Sequence, residues 1–593
     1  MKPALDWLDN RTGYKKLLHE ALFENVPGGA RWRYVWGSTL IFCFFVQVIT
    51  GTFLWFAYSP SSQTAWESVY YIQYEMMGGW FLRGLHHYTA QAMTVLLVFH
   101  LMQVVIDGAY KAPREVNFWS GIVLLGLVLA LSLTGYLLPW DQKGYWATKV
   151  ATNIAAITPF IGPELQKLVV GGSDYGHHTL TRFFALHAGV IPGGIIAFIV
   201  AHIYLFRKHG VHAKEPKKKR DEPFWPRQVL CDVVACLAVL LTVVFLTIYF
   251  RGAPLGAPAD PSEAFEARPE WYFLFLFQFL KYFPGHTAEV IGAIIIPTLL
   301  MGVLAIMPFI GKWKLGHRFN LGFMWVILAG IGVLTWAAKR EDGASERYAL
   351  AVAQAEREAV RVVDLAANGI PVTGALTLLR EDALTQGPKL FARNCASCHR
   401  YDGHDGLGLV STDPISGADL KGFGSREWIA GLLDPEKVDS PHYFGGTAFK
   451  EGKMVGFVKE DIASLSAEQR QTIIPKVVAA LSAEAQLKSQ AEIDARDVAI
   501  IAEGKREMSG DLLSCTNCHV LGDEGEHDGP DLTGYASRQW LMEFISNPGH
   551  ERFYADNNDR MPAFGAEKQL TEKEIGLIAD WIRGEWYVAP EKQ

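Results

Sequence analysis

The chain has 593 residues, of which 50% are hydrophobic and 12% aromatic, and its formal net charge is −7. Its mean hydropathy of +0.11 is too high for a typical soluble protein and too low for a chain that lies wholly in a membrane. The charge is unevenly divided, with +5 on residues 1–383 and −12 on residues 384–593. These values indicate a membrane part followed by an acidic soluble part.

Seven apolar segments are long enough, or nearly so, to cross a bilayer as helices. Only the fifth carries a charged residue close to its central stretch, namely Asp232 near one end. A membrane forces such segments to be helical, because each backbone polar group needs a partner. The predicted spans are residues 34–57, 82–106, 117–139, 183–206, 229–250, 289–310 and 320–338.

Basic residues gather at the same predicted side of these spans, which should therefore be cytoplasmic. An odd number of spans then puts the N-terminus in the cytoplasm and the C-terminal part outside it, in a bacterial plasma membrane. The basic residues are Lys15, Lys16, Arg31, Arg33, Lys111, Arg114, Arg207, Lys208, Lys214, Lys217, Lys218, Lys219, Arg220, Lys312, Lys314 and Arg318.

Two of the spans contain paired histidines, His86 and His100 in the second span and His187 and His202 in the fourth. Ionisable side chains are costly in a membrane and indicate a function. At about 100° per residue, the spacing in the second span falls about 40° short of four turns, so both imidazoles share a face roughly 21 Å apart. In the fourth span, His187 and His202 are one residue further apart, and this spacing exceeds four helical turns by about 60°. His87 lies about 100° off the shared face.

This pattern predicts two stacked bis-histidine haems between antiparallel helices. His86 should face His187 on the outer side, and His100 should face His202 on the cytoplasmic side. The alternative is four hydrogen-bonded core histidines. Glycine pairs in the first and third spans have the same spacing as His86 and His100 and would make room for two flat macrocycles. Two arginines flank the bundle where haem propionates would lie. These residues are Gly37, Gly51, Gly121, Gly135, Arg83 and Arg114.

Several motifs of the membrane part are specific to a known family. They are Arg83-Gly-Leu-His86, Gly135-Tyr-Leu-Leu-Pro-Trp-Asp-Gln-Lys-Gly-Tyr-Trp146, Thr181-Arg-Phe-Phe-Ala-Leu-His187, Glu222-Pro-Phe-Trp-Pro226 and Pro269-Glu-Trp-Tyr272. Through them, residues 14–210 resemble chloroplast-type cytochrome b, and residues 221–338 are similar to subunit IV of the same bc-type complex. Those two parts are separate chains in that complex and are joined here.

The resemblance implies that Glu270 binds quinol and accepts its proton, with Tyr136 and Tyr272 nearby and residues 144–156 forming one wall of the site. A carboxylate in an apolar aromatic loop suits proton transfer. The alternative is that Glu270 is an ordinary surface glutamate without a catalytic role. Asp232 and Arg207 are candidates for a cytoplasmic quinone site. Chloroplast-type cytochrome b has a haem-attaching cysteine where Val35 stands here, so an extra haem near Val35 would be absent or held without a covalent bond.

The soluble part contains a sequence repeat. Residues 384–483 and 498–586 each carry C-x-x-C-H, then Gly-x-Asp-Leu, Ser-Arg-x-Trp, a Met and a closing helix, which indicates duplication. The motifs Cys395-Ala-Ser-Cys398-His399 and Cys515-Thr-Asn-Cys518-His519 predict two covalent c-type haems. A redox dithiol or a zinc site is the alternative.

The sixth iron ligand of each c haem is expected to be a methionine. Met561 follows His519 in the second repeat, and Met454 occupies the equivalent place after His399 in the first. His404 is the rival of Met454. A methionine is often only core filler, but the matched positions favour ligation.

The predicted fold is all-α. A four-helix haem bundle (residues 1–220), a three-helix region (221–339) and a linker helix (340–383) precede two tandem cytochrome c domains (384–483 and 484–593). The predicted function is quinol oxidation in a proton-translocating bc-type complex, with two b haems and two c haems.

The partners implied by the resemblance are quinol and quinone, a separate Rieske iron–sulfur protein, a downstream cytochrome or oxidase and a second copy of the chain, with no nucleic acid. One rival reading is a membrane anchor that passes electrons between quinone and a dehydrogenase, which needs neither Pro269–Tyr272 nor a c-type tail. The other alternative is a haem sensor or scaffold, in which one ligand position of the haem iron would be open.

Overall fold

The computed structural model of the protein describes residues 2–212, 220–410 and 413–590. Four members of the basic cluster used to predict orientation lie outside the described residues, namely Lys214, Lys217, Lys218 and Lys219. The chain forms two compact units, one of residues 1–359 with 372–376 and one of residues 360–371 with 377–593.

Seven helices of the first unit are long and apolar enough to cross a membrane. Each overlaps one predicted span, so the prediction of a mostly helical, multi-pass membrane protein with seven such helices is confirmed. They are α1 Trp32–Trp55, α2 Gly79–Asp107, α3 Glu115–Leu137, α4 His177–His209, α5 Arg227–Tyr249, α6 His286–Ile310 and α7 Lys314–Gly343.

The rest of the first unit consists of shorter helices and one small strand pair. Asp141 begins the helix Gln142–Ala156 as its N-cap, since its carboxylate accepts a hydrogen bond of 2.8 Å from the Gly144 N–H. The strands Asn25–Val26 and Glu222–Pro223 pair antiparallel. The other short helices are Lys2–Thr12, Tyr14–Leu22, Ala65–Tyr70, Tyr71–Glu75, Gly162–Val170 and Trp271–Leu280.

Helices α1 to α4 form a bundle with an apolar layer at its middle. All four helices contribute buried residues to this layer, among them Cys43, Met93, Val128 and Ile195. Met93 lies midway between His86 and His100 in the chain, and the other three lie at comparable midpoints of their helices. The layer therefore separates two levels of histidines.

Helix α4 contains one π-helical segment, Leu186–Val190, around His187. A π turn holds one more residue than an α turn. Without that extra residue, the spacing of His187 and His202 equals the spacing of His86 and His100. The π segment thus brings His187 and His202 onto one face, although a regular helix would rotate them apart by about 60°.

The second unit is also helical and has one continuous hydrophobic core. Helix α8, Glu346–Ala366, occupies the predicted linker, and only its residues from Val360 onward belong to the second unit. The main helices that follow are α9 Ala383–Asn394, α10 Arg426–Leu432, α11 Ala467–Glu484, α12 Val498–Met508, α13 Arg538–Ser546 and α14 Glu572–Ile582. Shorter helices are Leu376–Arg380, Lys453–Phe457, Val458–Ile462 and Ala491–Arg496.

The two sequence repeats have matching local structure. Ser425 and Ser537 cap α10 and α13 by accepting hydrogen bonds from the N–H groups of Trp428 and Trp540, at 3.1 and 3.2 Å. Both indoles donate in turn to the Asp carbonyl of the Gly-x-Asp-Leu turn, at 3.2 and 2.8 Å. The same side chains therefore connect the turn to the following helix in both repeats.

Candidate functional site

The outer histidines face each other across the bundle. The ring centroids of His86 and His187 are 6.2 Å apart. Two imidazoles that bind one iron from opposite sides, each at a metal–nitrogen distance of about 2 Å, have centroids roughly 6 Å apart. The Nδ1 of His86 lies 2.9 Å from the Thr50 hydroxyl oxygen, and that of His187 lies 3.1 Å from the Leu131 carbonyl oxygen. Nδ1–H groups engaged in this way leave Nε2 free for a metal.

The inner histidines are held differently from one another. The Nδ1 of His202 lies 2.8 Å from the Ser120 hydroxyl, which itself donates to the Asn117 carbonyl, so the imidazole N–H is the donor. The Nδ1 of His100 is buried and has no hydrogen-bond partner among the described residues. The reason lies in the facing helices. A hydroxyl residue precedes Gly51, Gly121 and Gly135, whereas Trp36 precedes Gly37.

Each of the four predicted glycines faces one of these histidines. A Cβ placed on the glycine would lie 3.2 Å from the His86 ring at Gly51, 3.6 Å from the His100 ring at Gly37, 3.3 Å from the His202 ring at Gly121 and 2.5 Å from the His187 ring at Gly135. A side chain at the last position would displace the imidazole. The arrangement fits two flat prosthetic groups held at the two histidine levels.

Replacing Gly135 by Ala should therefore remove the outer b haem, because the new Cβ occupies space that the His187 ring needs. We expect a redox spectrum with one b-type signal instead of two. Gly37→Ala is the matched control, since its Cβ would make an ordinary contact of 3.6 Å with the His100 ring. Two b-type signals in the Gly135 variant would contradict the assignment.

The two predicted propionate arginines make hydrogen bonds to backbone carbonyls. Arg83 donates to the carbonyls of Ala253 and Pro254, both at 2.7 Å, and to the Gln73 side chain at 2.9 Å. Arg114 donates to the His209 carbonyl at 2.8 Å, and its Nε is buried without a partner among the described residues. Each arginine thus ties a loop to the bundle end, and propionate binding stays a prediction.

The predicted quinol-site residues come together at the outer end of the bundle. The Tyr136 side chain lies near the Glu270 carboxylate and interacts with it electrostatically. Burial raises the pKa of Glu270, and the Asp141 carboxylate raises it further, while Lys143 and Tyr136 oppose that rise. Burial and the charge of Glu270 raise the pKa of Tyr272 to about 12.

Sequence reasoning missed two charged residues of this pocket, Asp141 and Lys143. Both act electrostatically on Glu270. Asp141 also accepts a hydrogen bond of 3.1 Å from the Gly256 N–H and so ties the helix Gln142–Ala156 to the loop after α5. Both residues belong to the family motif that ends at Trp146, but only their closeness to Glu270 in the structure gives them a role.

The candidates for a cytoplasmic quinone site have separate partners. The Asp232 carboxylate accepts hydrogen bonds from Ser38 at 2.8 Å and from Gln228 at 2.9 Å. Arg207 lies 3.4 Å from Glu24 in an ion pair. Val35, the position where an extra haem was considered, is buried at the start of α1. No recorded contact joins Asp232 to Arg207 in the described part of the chain, and their joint role stays a prediction.

The two C-x-x-C-H motifs have the same geometry. The Nδ1–H of His399 donates to the Ala418 carbonyl, and that of His519 donates to the Pro530 carbonyl, both at 2.8 Å. A Cβ on Gly417 or Gly529 would press on the respective imidazole, at 2.5 and 2.6 Å.

Burial lowers the pKa of both imidazoles, His399 and His519, so both are neutral near pH 7. Two oriented imidazoles beside paired thiols suit covalent haem.

The sixth-ligand candidates lie at the core of the second unit. Met454 and Met561 are partly buried and packed against that core. The rival, His404, accepts a hydrogen bond of 2.9 Å from the Gly406 N–H through its Nδ1, within its own loop. Met454 and Met561 therefore stay the preferred ligands.

A membrane bundle with opposed histidine pairs, joined to a unit with C-x-x-C-H motifs, defines a multi-pass membrane cytochrome. The sequence matches the family described as Cytochrome b/b6/petB over residues 24–210, Cytochrome b(C-terminal)/b6/petD over residues 258–355, and Cytochrome c over residues 501–586.

Cytochrome b of Cereibacter sphaeroides is 31% identical over 372 residues, which cover 56% of this chain and 82% of that protein. Cytochrome b6 of Synechococcus elongatus is 36% identical and covers 36% of this chain and 98% of that protein. The menaquinol:cytochrome c reductase cytochrome b subunit of Bacillus subtilis is 38% identical and covers 35% of this chain and 96% of that protein. The chain belongs to the cytochrome b family, with its b6-like and subunit-IV-like parts fused and a cytochrome c domain attached.

Proposed function

We propose that the protein is the quinol-oxidising core subunit of a bc-type complex and that it works as a quinol:cytochrome c-type reductase coupled to proton translocation. The observation that carries this proposal is the grouping of Tyr136, Tyr272 and Glu270 at the outer end of a bundle with two histidine levels. The similarity to the menaquinol:cytochrome c reductase cytochrome b subunit of Bacillus subtilis supports it. A membrane anchor for a dehydrogenase would need neither this pocket nor the c-type part.

Glu270 is the proton acceptor in this proposal. A quinol hydroxyl at this site gives its proton to the Glu270 carboxylate, which lies near the Tyr136 side chain. The exposed Trp271 ring lies beside the pocket, and its indole N–H donates to Gln91 at 3.3 Å. Lys143 favours the ionised carboxylate, which keeps it able to accept the proton.

The bundle carries electrons between the two sides of the membrane. His86 with His187 and His100 with His202 would hold two b haems, which when bound supply reversible one-electron oxidation and reduction at two depths. The apolar layer at Cys43 and the three residues at its level keeps water out of the space between the two levels. One electron of the quinol would cross the membrane through this bundle, and the other would leave through a separate Rieske protein.

We propose two c haems in the second unit. The matching hydrogen bonds of His399 and His519 support a haem in the first repeat as well as in the repeat that matches the cytochrome c family. These haems would take electrons from the Rieske protein and pass them to a downstream cytochrome or oxidase. The complex would be a homodimer, as the family resemblance implies.

The first test is haem content. We expect two b-type and two c-type signals per chain in the purified complex, together with quinol-dependent reduction of the c-type signals when the Rieske partner is present. A single b-type signal, or quinol oxidation that leaves the c-type signals oxidised, would contradict the proposed function.

The second unit should lie outside the cytoplasm. Haem attachment to C-x-x-C-H takes place there, and the basic residues of the described loops, such as Arg33, Lys111 and Arg114, gather at the opposite end of the bundle from Glu270. Protease added to right-side-out spheroplasts should release a fragment that bears covalent haem. Protection in spheroplasts with cleavage in inverted vesicles would reverse the topology.

A further inference from the structure

The first helix of each repeat packs on the last helix of the other repeat rather than on the last helix of its own. The first helix of repeat one, α9, packs on the last helix of repeat two, α14. The first helix of repeat two, α12, packs on the last helix of repeat one, α11. Both crossings are close, because a Cβ on Gly387 of α9 would overlap the Trp581 side chain of α14, and a Cβ on Gly504 of α12 would overlap the Lys476 backbone of α11.

The α9–α14 crossing is aromatic. Trp581 stacks on Tyr401 with ring centroids 4.1 Å apart, and it contacts Phe391 at 5.3 Å. When the equivalent N-caps Ser466 and Thr571 are aligned, the residue of α11 that corresponds to Trp581 is Lys476. Pairing α9 with its own repeat's last helix would replace this aromatic cluster by a lysine.

Charges at both crossings agree with the exchange. Lys573 at the start of α14 pairs with Glu381 at 2.7 Å, and Lys476 of α11 pairs with Glu503 of α12 at 2.9 Å. The residue of α11 that corresponds to Lys573 is Glu468. Pairing within the repeat would therefore set Glu381 against another glutamate. Exposed ion pairs contribute little stability, but the like-charge alternative disfavours the other pairing.

The repeats meet at equivalent residues, which marks a pseudo-two-fold axis. Phe423 and Tyr535 occupy the same place in the two Leu-x-Gly-aromatic turns, and their ring centroids are 5.5 Å apart. A Cβ on Gly424 would lie 2.5 Å from the Cβ of its equivalent, Ala536. Residues at equivalent positions touch each other only near such an axis. The axis lies at the turns that precede α10 and α13.

The methionine loops follow the exchanged helices. Lys453, beside Met454, pairs with Asp528 of the second repeat at 3.0 Å and acts electrostatically on Cys518. Arg560, beside Met561, acts electrostatically on Cys398 of the first repeat. Each methionine loop therefore lies by the cysteine motif of the other repeat.

We propose that the two c haems exchange their methionine ligands between the repeats. Met561 would complete the iron site of Cys395, Cys398 and His399, and Met454 would complete that of the second motif. The inference rests on the proposed function, in which both motifs hold haem. It follows that neither repeat can form a complete haem site alone, because each site takes its histidine from one repeat and its methionine from the other.

The test uses the full chain with one c haem at a time. In a Cys515→Ser/Cys518→Ser background, only the haem of the first motif remains. Covalent haem in this background tests whether the first motif binds haem at all, which separates failure of the proposed function from failure of the exchange. Met561→Leu and Met454→Leu are then compared, since Leu conserves the side-chain volume.

We expect Met561→Leu to abolish the charge-transfer band of thioether-ligated ferric haem and to open the iron to carbon monoxide, while Met454→Leu leaves the band intact. In the Cys395→Ser/Cys398→Ser background, only the haem of the second motif remains. There, Met454→Leu should abolish the band and Met561→Leu should leave it intact. Loss of the band of the first haem in Met454→Leu, with retention in Met561→Leu, would overturn the exchange.

A second measurement avoids the ligand variants. Carbodiimide joins carboxylates to amines in contact, so it should link Glu381 to Lys573 and Glu503 to Lys476 in the wild-type protein, as read by peptide mass spectrometry. Lys573→Arg should remove only the first link. Linkage of Glu381 to Lys476, or failure of both expected links, would overturn the helix exchange.

Discussion

Replacing Glu270 by Gln is expected to slow quinol oxidation by about 10- to 10⁴-fold, the upper limit being the usual reach of a general base. The amide keeps the shape of the carboxyl group, but it cannot take a proton. The b-type and c-type haem spectra should stay normal, because Glu270 lies in the loop after α5 and is not one of the proposed haem ligands. The measurement is steady-state quinol oxidation by the purified complex with its Rieske partner.

The same variant should change the pH profile. Burial raises the pKa of Glu270, and below that raised pKa the wild-type carboxyl group is protonated and cannot accept a proton. The wild-type rate should therefore rise as the pH increases through that raised pKa, and the Glu270→Gln variant should lose this rise.

Glu266→Gln is the matched control, since Glu266 lies in the same loop with a side chain 42% exposed and pairs with Arg268. It should keep both the wild-type rate and the pH dependence. Wild-type rates in Glu270→Gln across pH 6–8 would remove Glu270 from the mechanism. A slowing near the low end of the expected range would indicate that a second group or a water chain shares the proton.

His202→Ala is expected to remove one of the two b-type signals and to abolish electron transfer across the membrane. The imidazole of His202 is held by Ser120 and faces Gly121 at the inner level, and no other described histidine lies at that place in α4. His100→Ala should give the same spectrum, because both histidines would bind one iron. The outer signal, which belongs to the pair His86 and His187, should remain.

His87→Ala is the control for the histidine variants. His87 neighbours His86 in the same helix, but its Nε2 lies 2.8 Å from the Gln91 amide, away from the ligand face. Both b-type signals should persist in this variant. Loss of the outer signal in His202→Ala or His100→Ala would show that the histidines are paired differently.

The sequence predicted the elements whose signals are local. The seven spans follow from uninterrupted apolar runs, since a bilayer demands helices there. The pairing of His86 with His187 follows from helical periodicity and chain direction, and the structure brings those two rings to 6.2 Å. The C-x-x-C-H motifs carry their own chemistry in five consecutive residues.

Other features of the candidate site depended on tertiary structure. The π segment at His187 cannot be read from the spacing alone, because an extra residue in a helix can equally rotate the following face by about 100°. Lys143 and Asp141 gain their influence on Glu270 only when the helix after α3 meets the loop after α5. The unpartnered Nδ1 of His100 likewise depends on which residue of α1 faces it.

By itself, the sequence determined the membrane spans, the histidine levels and the presence of two similar repeats with C-x-x-C-H motifs, because these follow from periodicity and short motifs. Only the tertiary structure decided how the repeats assemble. Two similar repeats present nearly the same helix faces, so pairing within or across repeats buries similar surfaces. The choice between the two pairings then depends on the few positions where the repeats differ. Trp581 in the second repeat corresponds to Lys476 in the first, and Lys573 corresponds to Glu468. The residues that Trp581, Lys573 and Lys476 contact lie far away in the chain or in the other repeat.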